Sequence, residues 1–303
     1  MGRKNKKREF LGVDVLDAGA KGKSSAKAPD GKIIFLNNAV PGDVVDVQII
    51  RKKKAFYEGT ATKILKFSGK RTEPKCGHFS VCGGCKWQSM DYEHQLFYKQ
   101  KEVENNLKRL GKIELPPISP IIGSEETYNY RNKMEFSFSD SRWLTQEEII
   151  TGAEIEDRNA LGFHIPGMWD KILDITECHL QGGDSNDIRN SIRNFAVQNK
   201  LPFFNTRNQT GFLRTLMIRT TSTGELMVLI QFFEENKEKR ELVLDFVAER
   251  FPQITSLLYV INPKGNDTIY DQEIHCYKGR DYIVEEMEGL KFKINAKSFY
   301  QTN

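Results

Sequence analysis

The sequence predicts a small all-β barrel followed by an α+β domain with a largely antiparallel sheet. Three observations carry this. From about Leu11 to Leu65, short β-rich pieces alternate with turn clusters: Asn37-Asn38, Pro41-Gly42-Asp43 and the lysine run after Arg51. From Tyr130 to about Pro263, apolar strand patterns follow one another with only two helices among them, which favours antiparallel neighbours. Finally, 303 residues with 39% hydrophobic content can build the cores of two domains without disulfide staples.

Taken in order, the first segment contains YEGTATKI, where small or apolar residues alternate with polar ones, as a strand with one buried face requires. Strands of this length and spacing suit a closed barrel. The clearest helix runs from Asp91 to Leu110. Ser89 or Asp91 can cap it, acidic residues fill its first turn, and Gly111 follows its end; Leu96, Val103, Leu107 and Leu110 share one stripe. Beyond it KMEFSFS, ALGFHI, KILDITE, LRTLMIRTT, ELMVLIQFF and SLLYVIN read as strands, with a hairpin turn at STGE. Helices are expected at Ser185–Asn199 and at Glu235–Phe251, the second stopped by Pro252.

Charge is uneven along the chain. Residues 1–75 hold 18 Lys and Arg against 8 Asp and Glu, while the remainder is acidic. A basic first module implies a polyanionic partner, and a barrel with basic loops can hold RNA while reading little sequence. Arg51, Lys52, Lys53 and Lys54 are the leading phosphate-binding candidates. No apolar run approaches a membrane span and no secretion signal opens the chain, so a cytoplasmic protein without membrane partners is expected, acting as a monomer.

Four of the five cysteines stand in a pattern: Cys76, Cys82 and Cys85 within ten residues, then Cys178 in DITECHL after 92 more. Three local thiolates and one distant one suit an iron–sulfur cluster or a structural zinc; unligated core thiols are the bland alternative. Gly83 and Gly84 let the backbone wrap closely around a bulky inorganic core. The fifth, Cys276 in EIHCYKG, is expected to be a plain buried or half-buried thiol, since adjacent His275 points to the opposite face of a strand.

CGHFSVCGGCKWQSMDYEHQLFYKQ, YRNKMEFSF, LGFHIPGMWDKILDITECHL and the terminal SFYQTN together resemble, in order, successive motifs of the RNA uracil-C5 methyltransferase family. The nearest subgroup is the 23S rRNA (uracil-5-)-methyltransferases with an N-terminal TRAM barrel and a [4Fe-4S] cluster. The resemblance implies an OB-like TRAM barrel at 1–68, a central iron–sulfur and RNA-binding α+β domain at 69–290, and the start of a methyltransferase domain at 291–303. It makes Cys76, Cys82, Cys85 and Cys178 the cluster ligands, and it implies S-adenosylmethionine as methyl donor and 23S rRNA as partner, with tRNA as the rival substrate. A non-catalytic RNA-binding iron–sulfur adaptor is the alternative of another class. In that family a cysteine thiolate adds to uracil C6, the enolate takes a methyl group at C5, and a base removes the C5 proton.

No glycine-rich cofactor signature accompanies these motifs. The expectation is therefore that the Rossmann-like methyltransferase domain is absent from the chain, with no catalytic residue in it and no activity of the chain alone. Helix 91–110 is then expected to pack on that domain. By the family pattern Gln301 touches the cofactor and Phe299 packs at the target base. Arg131 and Lys133 are candidate RNA contacts and Asn132 a candidate for a base or sugar edge, after a Tyr-x-Tyr able to stack on bases. Trp87 and Trp169, lying in the cysteine motifs, are expected to pack around the cluster.

Overall fold

The structure, a computed structural model, describes residues 8–152 and 155–301. The chain divides into two compact units, Met1–Glu125 and Glu126–Asn303, so the cysteine loop and the long helix group with the barrel rather than with the α+β domain.

In the first unit, strands β1 (Glu9–Gly19), β2 (Lys23–Lys27), β3 (Ile33–Asn37), β4 (Val44–Lys52) and β5 (Phe56–Lys66) close into a barrel in the order β1-β2-β3-β5-β4. Neighbours are antiparallel except β3 and β5, which run parallel. Alternate residues point inward, and Ile34, Leu36, Val45, Val47, Tyr57 and Ala26 fill the interior. Gly59 on β5 lies so close to β4 that a Cβ there would sit 2.8 Å from the Gln48 carbonyl oxygen. A side chain would force the strands apart.

The exit from the barrel is fastened by one carboxylate. Asp43 is fully buried and accepts from the amides of Val40 (2.7 Å) and Ser68 (2.9 Å) and, bidentately, from Arg71 Nε and Nη2 (2.8 Å each). Arg71 in turn bridges to Met90, and the Thr72 amide donates to the Ser89 carbonyl (3.1 Å), so residues 72–89 form a loop closed at its base. Helix α1 (Tyr92–Asn105) follows and runs into a π-helical turn through Leu110. Asp91 supplies its cap, accepting from the His94 amide. Tyr98 is the buried residue of α1, packed with Ala18, Val40 and Met90. Of the stripe read from sequence, Val103, Leu107 and Leu110 are exposed.

The second unit contains β6 (Lys133–Ser139), α2 (Gln146–Thr151), β7 (Ala160–His164), β8 (Ile172–Asp174), α3 (Ser185–Gln198), β9 (Leu213–Thr220), β10 (Leu226–Phe232), α4 (Lys237–Arg250), β11 (Ser256–Ile261), β12 (His275–Gly279), β13 (Tyr282–Met287) and β14 (Leu290–Asn295). Seven strands form one sheet in the order β12-β11-β10-β9-β6-β7-β8, and β13 and β14 form a separate hairpin. Every neighbouring pair in the large sheet is antiparallel except β10 and β11, which α4 joins as a parallel crossover.

Strands β9 and β10 are buried along nearly their whole length because both faces are covered, and β10 accordingly reads as a nearly unbroken apolar run. Val228 and Ile230 of β10 meet Ile188 and Ile192 of α3 and Val243 and Val247 of α4 on one side. Met227 and Leu229 meet Ile283 and Ile294 of the hairpin on the other. Since Met287 pairs with Leu290, the expected domain boundary at 290 falls inside that hairpin. Among the described residues no helix is long and apolar enough to cross a membrane.

Candidate nucleic-acid interface

The basic run predicted to meet phosphates lies at the tip of the β4–β5 hairpin. Arg51 and Lys52 end β4, Lys53 and Lys54 form the turn, and the Lys53 amide donates to the Phe56 carbonyl (2.9 Å). All four side chains are exposed, and none is engaged in an ion pair among the described residues. Four cations within one tight turn repel one another, and a polyanion is the natural counterweight.

In the second unit one of the predicted groups lines a pocket, whose wall includes Tyr300 but neither Phe299 nor Gln301. Tyr130, Arg131 and Asn132, entering β6, share a pocket of about 340 Å³ with Ser222, Glu285 and Tyr300. Tyr300 is half-buried against the Met217–Leu229 core. Burial, and then a hydrogen bond to Glu285, raise the pKa of its phenol. Burial opposes the charge of Glu285, yet the Ser222 hydroxyl and the Ser222 and Glu286 amides outweigh it and hold the carboxyl below its usual range. Just upstream, Arg219 Nη2 donates to the Ser298 carbonyl oxygen (2.6 Å) from within β9. With Ser298 clamped and Tyr300 anchored, Phe299 between them stands 87% exposed, and Gln301 is exposed as well.

Arg131 is exposed, whereas Lys133 is half-buried and paired with Glu135 on the same face of β6 at 2.9 Å. That pairing makes Lys133 the outward side of a strand whose inward side is Met134, Phe136 and Phe138. Sequence reasoning did not single out Arg219, Glu285 or Tyr300. The available signal was a positive charge inside the apolar run LRTLMIRTT, which must find a partner if the strand is covered on both faces.

The three local cysteines sit in the closed loop of the first unit. The Cys76 amide donates to Gln88 Oε1 (3.1 Å), and the amides of Phe79 and Cys82 donate to the Cys76 and His78 carbonyls (3.0 Å each). Gly83 adopts φ +74°, the left-handed conformation that glycine takes without strain. In the second unit Cys178 is held at both backbone groups by Asn186: its amide donates to Oδ1 (2.9 Å) and its carbonyl accepts from Nδ2 (3.2 Å).

Beneath that segment, fully buried Arg189 donates to the carbonyls of Ile175 (3.0 Å) and Thr176 (2.8 Å) and to Asn186 (2.9 Å), with its guanidinium over the Phe136 ring. Burial lowers its pKa to about 10, against the pull of Cys178, Asp174 and Glu177. These four cysteines are half-buried and outside any disulfide. Among the described residues no group of three or more His, Cys, Asp or Glu is arranged to hold a metal ion.

Trp87 is half-buried against the Tyr98–Met90 core of the first unit, but Trp169 is 62% exposed with Arg207 over its ring, so it does not have the packed setting expected of it. Cys276 is exposed rather than buried; partial desolvation and then the Asp281 carboxylate raise its pKa, which disfavours the nucleophilic thiolate.

Residues 4–62 match the TRAM domain family. That match takes in the barrel up to the middle of β5. Over nearly its whole length the chain is similar to an uncharacterized RNA methyltransferase of Bacteroides thetaiotaomicron, with 53% identity over 287 residues, 94% of this chain and 63% of that protein. An uncharacterized RNA methyltransferase of Porphyromonas gingivalis is 54% identical over 296 residues, 96% of this chain and 63% of that protein. The chain thus spans 63% of the length of these relatives. Among solved structures it is similar to the Pyrococcus abyssi tRNA (uracil-54, C5)-methyltransferase in complex with S-adenosyl-L-homocysteine: TM-score 0.66, 24% identity, 96% of this chain and 61% of that one.

This corrects the expected fold class. The methyltransferase fold was expected to be absent from the chain, but 96% of the chain lies on the fold of a solved methyltransferase. The expectation rested on the missing glycine-rich signature, a cue of local sequence, whereas the likeness is one of backbone fold and takes in both the barrel and the seven-stranded sheet.

Proposed function

We propose that the chain acts in the S-adenosylmethionine-dependent methylation of uracil C5 in RNA, with 23S rRNA as the substrate and the TRAM barrel as one of its grips. The observation that carries the reading is the hairpin tip of the barrel, four exposed cations without ion-pair partners among the described residues, in a chain more than half identical to proteins named RNA methyltransferases. Uracil must leave its stack before C6 and C5 can be reached, at a cost of a few kcal/mol that RNA contacts elsewhere offset. To this chain we assign the holding of RNA. Arg131 and Asn132 contact the RNA backbone and a base edge at the mouth of the Tyr300 pocket. Phe299 offers a free ring to the target base, and Gln301 an amide to the methyl donor.

A second reading, tRNA as substrate, draws on the tRNA specificity in the name of the Pyrococcus abyssi protein. Filter binding of the chain to 23S rRNA transcripts and to tRNA separates the two. Tighter binding to rRNA is expected, tighter binding to tRNA selects the second reading, and binding to neither overturns both. The triple variant Lys52→Ala, Lys53→Ala, Lys54→Ala should weaken binding and flatten its salt dependence by about 0.7 in log–log slope for each phosphate no longer neutralised. An unchanged slope would remove the tip from the interface.

We also propose that Cys76, Cys82 and Cys85 bind a [4Fe-4S] cluster. Cys178, in the second unit, is the fourth ligand on the strength of its sequence motif. What supports this is the donor chemistry: thiols outside disulfides in a loop pinned at its base, with a left-handed glycine between them. Protein purified without oxygen should carry iron and sulfide at about four each per chain, as such a cluster requires. Cys82→Ser should lose most of both. Zinc in place of iron would overturn the assignment.

A further inference from the structure

The connection between β11 and β12, residues 262–274, has no regular structure of its own. Connections of that length in a compact domain are as a rule functional or disordered. This one is fastened by three buried polar side chains. Arg214 of β9 donates from Nη1 to the carbonyls of Asn262 (2.7 Å) and Lys264 (2.6 Å). Asn262, fully buried, donates from Nδ2 to Gln231 Oε1 (3.1 Å) and to the carbonyls of Asn266 and Thr268 (3.2 Å each). Gln231 of β10 donates in turn to the Asp267 carbonyl (3.1 Å). Burying a guanidinium and two amides is costly for a loop that has only to join two strands. Here they fix its shape.

That shape leaves Tyr270 69% exposed, while Ile269 before it packs against the Met217–Leu229 core. Three observations place this stretch beside the segment that carries Phe299. Lys297 Nζ donates to the Gln272 carbonyl (2.7 Å). Ile269 and Tyr300 pack on the same core. Arg219, whose Nη2 holds the Ser298 carbonyl, also feels Tyr270: burial lowers its pKa, and Glu135 and then Tyr270 oppose the shift. Two rings, Tyr270 and Phe299, therefore face water on adjoining stretches of backbone, both fastened to β9. One exposed ring needs no explanation, but a pair on built supports does. The charges of the loop are Lys264, paired with Asp271 at 2.5 Å, and the acids Asp267 and Glu273. Such a loop repels phosphates, so the part of an RNA that it can hold is the face of a base. When the target uracil leaves its stack, the base beside it loses a partner, and a ring next to Phe299 can replace it.

We propose that Tyr270 is a second stacking residue of the RNA site, covering the nucleotide beside the one that Phe299 meets, so that the two rings act as a pair. The inference rests on the reading of Phe299 as a contact for the target base and adds the residue that holds its neighbour.

The test is filter binding of the whole chain to 23S rRNA transcripts or tRNA, whichever it binds more tightly, with variants at these two exposed positions. Tyr270→Ala is expected to weaken binding about tenfold, the loss of one base stack. The salt slope should stay unchanged, because no phosphate contact goes with the ring. Tyr270→Phe should bind like the wild type, whereas Tyr270→Leu, apolar but without a π face, should not. Phe299→Ala should cost a similar factor. The double variant should lose less than the product of the two, since removing one ring already frees the strand from the other. If Phe299→Ala weakens binding and Tyr270→Ala does not, the pair is overturned while the reading of Phe299 stands, and a protein partner becomes the occupant of this loop. Losses that simply multiply, or a flatter salt slope in Tyr270→Ala, would overturn the pair as well. If neither variant changes the affinity, the reading of Phe299 falls with it, and if the wild type binds neither RNA, the functional reading falls first.

Discussion

Asp43→Ala is expected to lower the unfolding free energy of the chain by about 3–5 kcal/mol, the cost of removing one partner from a buried ion pair. The carboxylate is fully buried and answers four N–H donors, from Val40, Ser68 and both arms of Arg71. Removing it leaves two buried amides without acceptors and a guanidinium without its counter-charge. The effect reaches beyond the barrel, because Arg71 also forms the base of the cysteine loop through its bridge to Met90. Urea denaturation measures the first effect, and faster amide exchange across residues 72–89 the second. Adding Arg71→Met to the variant should recover part of the loss, since the stranded charge goes with it. A change within about 0.5 kcal/mol, the range of ordinary surface substitutions, would mean that Asp43 is not the fastening described.

Arg189→Met is expected to cost about 2–4 kcal/mol, because the guanidinium satisfies two carbonyl oxygens where water does not readily substitute. Methionine preserves much of the stem packed on Phe136 and removes only the donors. The segment those donors hold, Ile175–Thr176, leads directly to Cys178, whose amide is bonded to Asn186. Hydrogen exchange at the Cys178 amide should therefore rise by a larger factor than at the β10 amides. Equal rises in both would make the role of Arg189 one of bulk stability alone.

Much of the secondary structure was legible because it depends on neighbours in sequence. The Asp91 cap and the acidic first turn marked α1, and a nearly continuous apolar run marked β10. What periodicity cannot say is what covers a face. Leu96, Val103, Leu107 and Leu110 do share a stripe, yet three of them stand exposed and Tyr98 does the packing. The parallel β10–β11 pair was written in the order strand, helix, strand and could have been read from it. The β13–β14 turn also left a mark in Glu288-Gly289, both left-handed. The basic tip was legible by composition alone. The pocket at Arg131 and Asn132 was not legible as a pocket, since its other wall, Ser222, Glu285 and Tyr300, comes from segments more than eighty residues away that tertiary packing alone brings near.

Ring closure in the barrel has a consequence for how the protein behaves in a crowded solution. Every strand there already has two neighbours, so the ring offers no open seam of N–H and C=O groups to a stray extended chain. Among the described residues of the large sheet, that liability is confined to its two outermost members. One, β8, is only three residues long, and the other, β12, departs from regular register against β11 between Leu257 and Leu258. Brevity at one border and irregularity at the other make each a poor template for runaway strand addition.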